Sequence, residues 1–358
     1  MNELTTFERM KRILNHQEAD RVPITDWAWE STIANWIKQG MARNIDWKEY
    51  FGLDKIAYVT YDEIDTSPRY KLETIEETET YRIYRDEWGV TKKDFKPMSA
   101  TPVYIDFQIR DRESWLTAKE RMMPSKDRID WQIWKDNYKY WRQNGYWIQA
   151  GTKFGFQTVY SYMCGLENTF MAMLDDPEWM RDMFDHGCDL AIALFDMIWD
   201  AGYEFDELAF YDDLGYKNGL LISEELWREL VKPYQQRTID WAHNHGIKIQ
   251  LHSCGKVDSL IPELIEIGLD TLNPLETKAG MDPIALRRKH GDKICFRGGF
   301  DIMNWSDFGK AEAEIREKLP VLKRGGGYIF ASDHSVADNV SIENYKHIVA
   351  LAKEVGRY

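Results

Sequence analysis

The sequence predicts an α/β fold, a single (β/α)8 barrel formed by one domain that spans residues 1–358. Two observations lead to this prediction. Apolar runs that end in polar or glycine-rich clusters alternate with segments of helical period, a pattern typical of a parallel sheet covered by helices. Eight such runs are present, and eight strands in a chain of this length favour a barrel.

The predicted strands are, in chain order, residues 21–30, 54–63, 145–155, 205–215, 247–255, 269–276, 293–301 and 326–335. No Gly-x-Gly-x-x-Gly turn follows the first, so a doubly wound dinucleotide-binding sheet is not favoured. Between the second and third strands, "ETYRIYRDEWGVTKKDF" predicts a β-hairpin around residues 87–89, followed by helical residues up to about Gln143. We expect this insertion to lie over one rim of the barrel.

Charge and cysteine content narrow the class of protein. The net charge of −14 and the lack of a basic block argue against a nucleic-acid partner. No run approaches the roughly 18 apolar residues of a membrane span, and the first residues lack the apolar core of a secretory signal. Four scattered cysteines do not form a disulfide framework. A cytoplasmic protein with reduced thiols and no membrane association is therefore expected.

Chemically capable side chains follow several predicted strands, and in a barrel these positions meet at one face. They are Asp62, Asp212 with Asp213, His252 with Cys254, Glu276, and Asp333 with His334. Two tryptophans, Trp27 and Trp29, end the first predicted strand together with Asp26 and Glu30 and indicate an aromatic, acid-rimmed wall that contacts substrate. Tryptophans at such positions also pack in cores, so this interpretation has an alternative.

His252 and Cys254 stand two residues apart on a predicted strand, so their side chains leave the same face. Imidazole and thiolate are both ligands of Zn²⁺, and Gly255 allows the backbone to turn directly behind the pair. The alternative is a small buried thiol beside a hydrogen-bonded core histidine. A zinc site needs a third ligand from elsewhere in the chain. Adjacent Asp212 and Asp213 point to opposite strand faces, so at most one of them faces the mouth.

Four segments resemble the uroporphyrinogen decarboxylase superfamily: "TVYSYMCGLENTF", "DELAFYDDLGYKNGLLISEELWRELVKPYQQRTID", "IQLHSCGKVDSLIPELIEIGLDTLNPLE" and "GGYIFASDH". The similarity runs from about Phe51 to Tyr345 and implies a TIM barrel. The decarboxylases carry an arginine-rich segment after the first strand, whereas this chain has "ITDWAWEST" there. Acids and tryptophans do not neutralise a polycarboxylate, so a porphyrinogen substrate is not expected.

The His-x-Cys-Gly at residues 252–255 is similar to the zinc- and corrinoid-dependent methyltransferase branch of this superfamily. That branch takes its third zinc ligand from a cysteine after the last strand, where this chain has His334. The resemblance therefore implies zinc on His252, Cys254 and His334, and a methyl group exchanged with a corrinoid carried by a separate protein. Cys295 is predicted to pack in the barrel wall, about 13 Å from the mouth.

The remaining site residues are assigned with the same resemblance. Asp62, Tyr162 and Asp212 are predicted as catalytic proton donors or orienting groups, and Glu276 and Asp333 as substrate contacts. Asp62, Tyr162 and His334 also match residues of the decarboxylases, so a metal-free carboxy-lyase is the alternative activity. A non-catalytic binding protein is a third possibility. The methylated substrate, the direction of transfer and the oligomeric state are not encoded in any motif.

Overall fold

The computed structural model describes residues 3–96 and 102–358, and its centre is a curled sheet of seven parallel strands. The strands are β1 (Ile56–Val59), β2 (Glu73–Glu77), β3 (Tyr81–Arg85), β4 (Val90–Phe95), β5 (Val103–Phe107), β6 (Trp147–Ala150), β7 (Glu207–Tyr211), β8 (Gly215–Tyr216), β9 (Gly219–Leu220), β10 (Lys248–His252), β11 (Thr271–Asn273), β12 (Cys295–Arg297) and β13 (Tyr328–Ile329). The parallel sheet has the order β1-β6-β7-β10-β11-β12-β13. Seven of the eight predicted strands thus contribute to it.

Helices connect and cover these strands. They are α1 (Thr6–Ile13), α2 (Glu30–Lys38), α3 (Trp47–Phe51), α4 (Arg112–Lys119), α5 (Trp131–Gln143), α6 (Phe156–Thr158), α7 (Leu166–Asp175), α8 (Pro177–Asp200), α9 (Glu224–Leu226), α10 (Lys232–Asn244), α11 (Ile261–Glu266), α12 (Pro283–His290), α13 (Phe308–Leu322) and α14 (Ile342–Val355). None of the described helices is both long and apolar enough to span a membrane.

Residues 21–30, predicted as the first strand, form isolated bridges instead of a regular strand. Ile24 bridges Phe330 in parallel orientation, and Ala28 bridges Val336 in the same way. On the other side, the N–H of Asp54 donates to the carbonyl of Ile24 at 3.0 Å. Pro23 lacks an N–H and so cannot donate to a continuous ladder, which explains why this segment is not a strand of the predicted length.

The chain between β1 and β6 contains a four-stranded antiparallel sheet, in the order β2-β3-β4-β5. β3 and β4 form the predicted hairpin around residues 87–89. The prediction of helix immediately after it is wrong for β5, where "VYIDF" alternates in the strand period and pairs with β4. Residues 97–101 of that predicted helical stretch lie outside the described residues, and helices α4 and α5 follow β5.

The helices pack their apolar sides onto the parallel sheet in one large core. Their boundaries follow the local sequence. The side chain of Asp176 accepts from the N–H of Trp179 at the start of α8, and Pro177 occupies its first position. Along β10, Ile249 and Leu251 are fully buried, whereas Gln250 and His252 line a cavity on the other side of the strand. This alternation directs polar side chains toward the interior of the curled sheet.

Candidate functional site

A cavity of about 410 Å³ opens at the carboxyl ends of the parallel strands. Seven of the predicted site residues line it, namely Trp27, Trp29, Asp62, Tyr162, His252, Cys254 and His334. Trp27 is 50% exposed and Trp29 is 36% exposed, so both rings are accessible rather than buried in the core. The volume falls within the range of about 300–1,000 Å³ that is usual for small-molecule sites. The position at the strand ends agrees with the sequence prediction.

His252 and Cys254 also line this cavity, with His252 Nε2 lying 3.4 Å from Cys254 Sγ. The turn behind them depends on Gly255, which has φ +79°. A Cβ atom at this position would lie 2.3 Å from the backbone of Gly215, so a side chain does not fit. The N–H of Gly255 donates to Glu276 Oε2 at 2.8 Å and fixes the turn. The strand spacing and the glycine together place both side chains as the sequence predicts.

The tautomer of His252 is set by Asn273 on the adjacent strand β11. His252 Nδ1 lies 2.7 Å from Asn273 Oδ1, and a carbonyl oxygen accepts, so Nδ1 carries the proton. The lone pair of Nε2 is then free on the side of Cys254. A histidine that ligates a metal is commonly held in this way by a hydrogen bond to its other ring nitrogen.

Asp213 is the third potential ligand beside this pair. Ligand atoms of Asp213, His252 and Cys254 lie within 4.8 Å of one another, and Asp213 Oδ1 is 3.9 Å from His252 Nε2. Its carboxylate is held in place by the N–H of Cys254, which donates to Oδ1 at 2.7 Å, and by the side chain of Gln157, which donates to Oδ2 at 2.7 Å. The cluster is therefore ordered by the surrounding chain.

Two of the three ligand separations in this cluster are compatible with a zinc ion. Tetrahedral bonds of about 2.0–2.3 Å separate neighbouring ligand atoms by roughly 3.3–3.8 Å. The separations of 3.4 Å and 3.9 Å from His252 Nε2 are close to these values. Without a cation, burial raises the pKa of the Cys254 thiol, and the nearby carboxylates of Asp213 and Glu276 raise it further. A divalent cation would reverse this effect, because one thiolate and one carboxylate balance its charge.

His334, predicted as the third zinc ligand, lines the same cavity but is not part of the group within 4.8 Å. Its ring is exposed, and its centroid lies 6.2 Å from that of Trp29. Glu276, predicted as a substrate contact, holds the Gly255 turn. Cys295 is fully buried in the wall beside α1, with Sγ 3.6 Å from the carbonyl of Ile13, and this confirms its predicted packing role.

Asp212 and Asp333 are both fully buried and do not line the cavity. Asp212, predicted as catalytic, accepts hydrogen bonds from side chains and backbone of three neighbouring residues, namely Tyr234, Gln235 and Gln157. Burial raises the pKa of Asp212 to about 6, against the effect of these donors. Asp333, predicted as a substrate contact, accepts from Thr277 and Ile302 and so ties two loops together.

Comparison with known proteins identifies the family of this fold. A model of the family described as uroporphyrinogen decarboxylase matches residues 150–355, which is more than half of the chain. The chain belongs to the uroporphyrinogen decarboxylase family. The predicted resemblance is confirmed, and the matched region contains β7 to β13 with the whole His252, Cys254 and Asp213 cluster.

One solved structure agrees with this family fold. A methyltransferase from Methanosarcina mazei is 17% identical, with 98% of this chain and 99% of that chain covered at a TM-score of 0.67. A xylose isomerase-like TIM barrel protein from Mycobacterium smegmatis is 13% identical, with 70% and 91% covered, but its TM-score of 0.37 supports no argument. Comparison with curated protein sequences gives no match. The M. mazei structure shows the shared fold.

Several cavity residues of this uroporphyrinogen decarboxylase family member are not among the predicted site residues. They are Asp213 as a potential ligand, Asn273 beside His252, Gln157, Lys153 and Arg297. The sequence holds a signal for Asp213, because it shares its strand face with Glu207 and Tyr211, whereas Asp212 shares its face with the apolar Leu208 and Phe210. Apolar residues face the helices, so the polar face marks the interior.

Proposed function

We propose that this protein is a zinc-dependent methyltransferase that exchanges a methyl group between a small methylated substrate, or a thiol coenzyme, and a corrinoid held by a separate protein. The observation that carries the proposal is the cluster of Asp213, His252 and Cys254 on the wall of a cavity of small-molecule size. The methyltransferase activity named for the M. mazei structure of the same fold adds support.

His252, Cys254 and Asp213 would hold the zinc ion through Nε2, Sγ and a carboxylate oxygen. We prefer Asp213 to the sequence-based choice of His334 because the folded chain already positions Asp213 beside the other two ligands. Bound zinc supplies Lewis acidity, which polarises a departing heteroatom or keeps a thiol deprotonated at neutral pH. Three protein ligands leave one position for substrate.

The other cavity residues orient the substrate in this proposal. Trp27 and Trp29 provide accessible apolar surfaces for an aromatic or methylated group. Asp62 and Tyr162 line the same cavity and supply a carboxylate and a phenol for proton transfer or hydrogen bonding. Burial raises the pKa of Tyr162, so its hydroxyl keeps its proton and acts as a donor.

A metal-free decarboxylase is the second candidate. Asp62, Tyr162 and His334, which match residues of the decarboxylases in sequence, all line the cavity. The first-strand segment argues against a polycarboxylate substrate, because it offers Asp26 to the cavity rather than arginines. The candidate therefore requires a smaller substrate than a porphyrinogen.

We also infer that the sheet closes into an eight-position barrel, with residues 21–30 between β13 and β1. The parallel bridge of Ile24 with Phe330 and the hydrogen bond from Asp54 to Ile24 support this closure on its two sides. A closed barrel would bring Trp27 and Trp29 to the same mouth as the cluster.

Metal content and methyl transfer together test the proposed function. Elemental analysis of protein purified without chelators is expected to give about one zinc per chain, and Cys254→Ala is expected to lose it. Cys295→Ala, whose thiol does not line the cavity, serves as the matched thiol control and should keep its zinc. A panel of methoxylated, methylamine and methylthiol compounds is then incubated with reduced cobalamin, whose methylation is followed by absorbance. A protein that binds no zinc, cobalt or nickel contradicts the proposal.

A further inference from the structure

Arg297 ends strand β12 and lines the cavity, although the residue is only 9% exposed. Arginine is almost never buried to this extent unless it is paired, because desolvation of its charge is costly. A buried arginine that faces an open cavity therefore needs an explanation.

The protein leaves much of this guanidinium unpaired. Nη1 lies 3.4 Å from Gln250 Oε1, beyond the usual hydrogen-bond range of about 2.7–3.2 Å. Nε has no hydrogen-bond partner among the residues that the structure describes. Within residues 3–96 and 102–358, no carboxylate lies within the 4.0 Å of a salt bridge to Arg297. The side chain also interacts with the Tyr58 hydroxyl. With five N–H donors it keeps further donors for a ligand.

Two buried acids, Glu207 and Asp26, act on Arg297 through their charge and have other hydrogen-bond donors. Glu207 accepts from the Trp147 indole at 2.9 Å and from Gln149 at 2.7 Å. Asp26 accepts from the Ser332 hydroxyl at 2.6 Å. Both donors to Glu207 reach Oε2, and its Oε1 has no hydrogen-bond partner among the described residues, yet neither acid forms an ion pair with the guanidinium there.

Arg297 remains a cation in this environment. Burial lowers its pKa, but the phenols of Tyr58 and Tyr211 and the carboxyl of Glu207 more than offset this effect and raise the pKa overall. A permanent positive charge with free donors in a cavity is a binding site for an anion.

We propose that Arg297 binds the carboxylate of the substrate, which is a small molecule with a single carboxylate and, at its other end, a methylated heteroatom. The methylated heteroatom rests on the proposed function, whereas the carboxylate site at Arg297 does not. The planar guanidinium fork forms two parallel hydrogen bonds with a carboxylate, which fixes the orientation of the ligand. One carboxylate is consistent with the absence of an arginine-rich first strand.

The strand register relates this anchor to the metal cluster. Leu272 pairs with Phe296, so the next residues, Asn273 and Arg297, are neighbours, and Asn273 pairs with His252. Arg297 and His252 therefore stand at the same height, two strand spacings or about 10 Å apart at their backbones. Both side chains face one cavity, so a molecule of the size of a single substituted ring reaches both.

Lys153 is the competing cation in the cavity. Its amine lies 3.7 Å from the ring centroid of Tyr61 and 4.5 Å from that of Tyr162, so two aromatic faces already contact it. Burial lowers the pKa of Lys153 to about 8, which leaves it partly neutral in mildly alkaline solution. Arg297 keeps its full charge and is the stronger anion site.

Calorimetric titration of the zinc-loaded protein with matched acids and amides tests the proposal. The probes are 4-methoxybenzoate against 4-methoxybenzamide and methoxyacetate against methoxyacetamide, with wild type, Arg297→Gln, Arg297→Lys and Lys153→Gln. At least one acid is expected to bind wild type tenfold or more tightly than its amide. Arg297→Gln should remove this preference with amide binding unchanged, Arg297→Lys should keep part of it, and Lys153→Gln should keep most of it.

The outcomes separate this inference from the proposed function. If wild type binds neither acid, or binds the amides equally well, no carboxylate site is present at Arg297. If Lys153→Gln rather than Arg297→Gln removes the preference, the carboxylate site lies at the mouth instead. Thermal unfolding and zinc content check that each variant folds. The comparison of acid with amide in the wild type tests the carboxylate site by itself, so the test remains decisive even if a variant folds poorly. Loss of methyl transfer with intact acid preference would count against the proposed function only.

Discussion

The residues that follow strands β7 and β13 have the same pattern, a buried acid and then a cavity residue, but only the pair after β7 contributes to the candidate metal cluster. After β7, Asp212 is fully buried and Asp213 lines the cavity; after β13, Asp333 is fully buried and His334 lines the cavity. In each pair the first residue accepts hydrogen bonds inside the protein and the second faces the cavity. Asp213 joins His252 and Cys254, whereas His334 does not.

The difference arises from how each cavity residue is held. Asp213 receives hydrogen bonds from the N–H of Cys254 and the side chain of Gln157, so its carboxylate is fixed toward the cluster. His334 is exposed and has the ring of Trp29 as its aromatic neighbour. In the proposed zinc site, a residue after a strand therefore serves as a ligand when neighbouring groups orient it toward the other ligands.

The largest expected effect comes from Asp213→Ala. Removal of a directly ligating carboxylate is expected to lower zinc affinity by about 1,000-fold, more than the roughly 10–100-fold typical of a partner outside the ligand set. His334→Ala is the matched control and should change the affinity by less than tenfold. Competition with a chromogenic chelator measures both. The reverse result, with zinc lost in His334→Ala and kept in Asp213→Ala, would restore the sequence-based ligand set.

Asp212→Ala is expected to act on stability rather than on metal. The change leaves the Tyr234 hydroxyl, the Gln235 amide and the N–H of Gln157 without their buried acceptor. We expect the free energy of unfolding to fall by about 2–4 kcal/mol. Urea denaturation of the chelated protein measures this, and Asp213→Ala should cost less than about 1 kcal/mol in the same test. Equal losses in the two variants would mean that the buried and cavity-facing acids do not differ as described.

Asn273→Leu should weaken zinc binding by about 10–100-fold, because His252 Nδ1 loses its acceptor and the ring loses its orientation. Asn273→Asp keeps an acceptor of the same shape and serves as the control, with affinity equal to wild type or higher. Competition with the chromogenic chelator measures the zinc affinity of both variants and of wild type. An Asn273→Leu variant with unchanged affinity would show that the hydrogen bond does not position His252.

Much of the fold is predictable from the sequence, because the alternation of strand-like and helical segments is local. The failures have local physical causes too. Pro23 interrupts the ladder of the first predicted strand, and "VYIDF" has a two-residue period although helical segments follow it. Strand position along the chain was thus easier to predict than strand continuity.

Some residues of the candidate site are likewise predictable from local sequence, and others are not. His252 and Cys254 are predictable because two residues on one strand share a face whatever surrounds them. The strand alternation could have indicated that Asp213 faces inward, but the contacts that orient Asp213 and leave Arg297 with free donors come from other strands, which no short motif encodes. The buried role of Asp333 depends on Thr277, 56 positions away in the chain.

The smallest expected effect concerns that contact. The Thr277 hydroxyl donates to Asp333 Oδ2 at 2.7 Å, and the same carboxylate also accepts from the N–H of Thr277 and, through Oδ1, from the N–H of Ile302. Thr277→Val removes one of these three donors and keeps the side-chain shape, so the free energy of unfolding should fall by about 1 kcal/mol. Thr277→Ser keeps the hydroxyl and should recover most of this loss. Zinc affinity should be unchanged in both variants, because Asp333 holds loops and is not part of the ligand cluster. A loss of zinc in Thr277→Val but not in Thr277→Ser would show that the buried Asp333 is coupled to the metal site. The proposed difference between buried Asp333 and cavity-facing His334 would then be wrong.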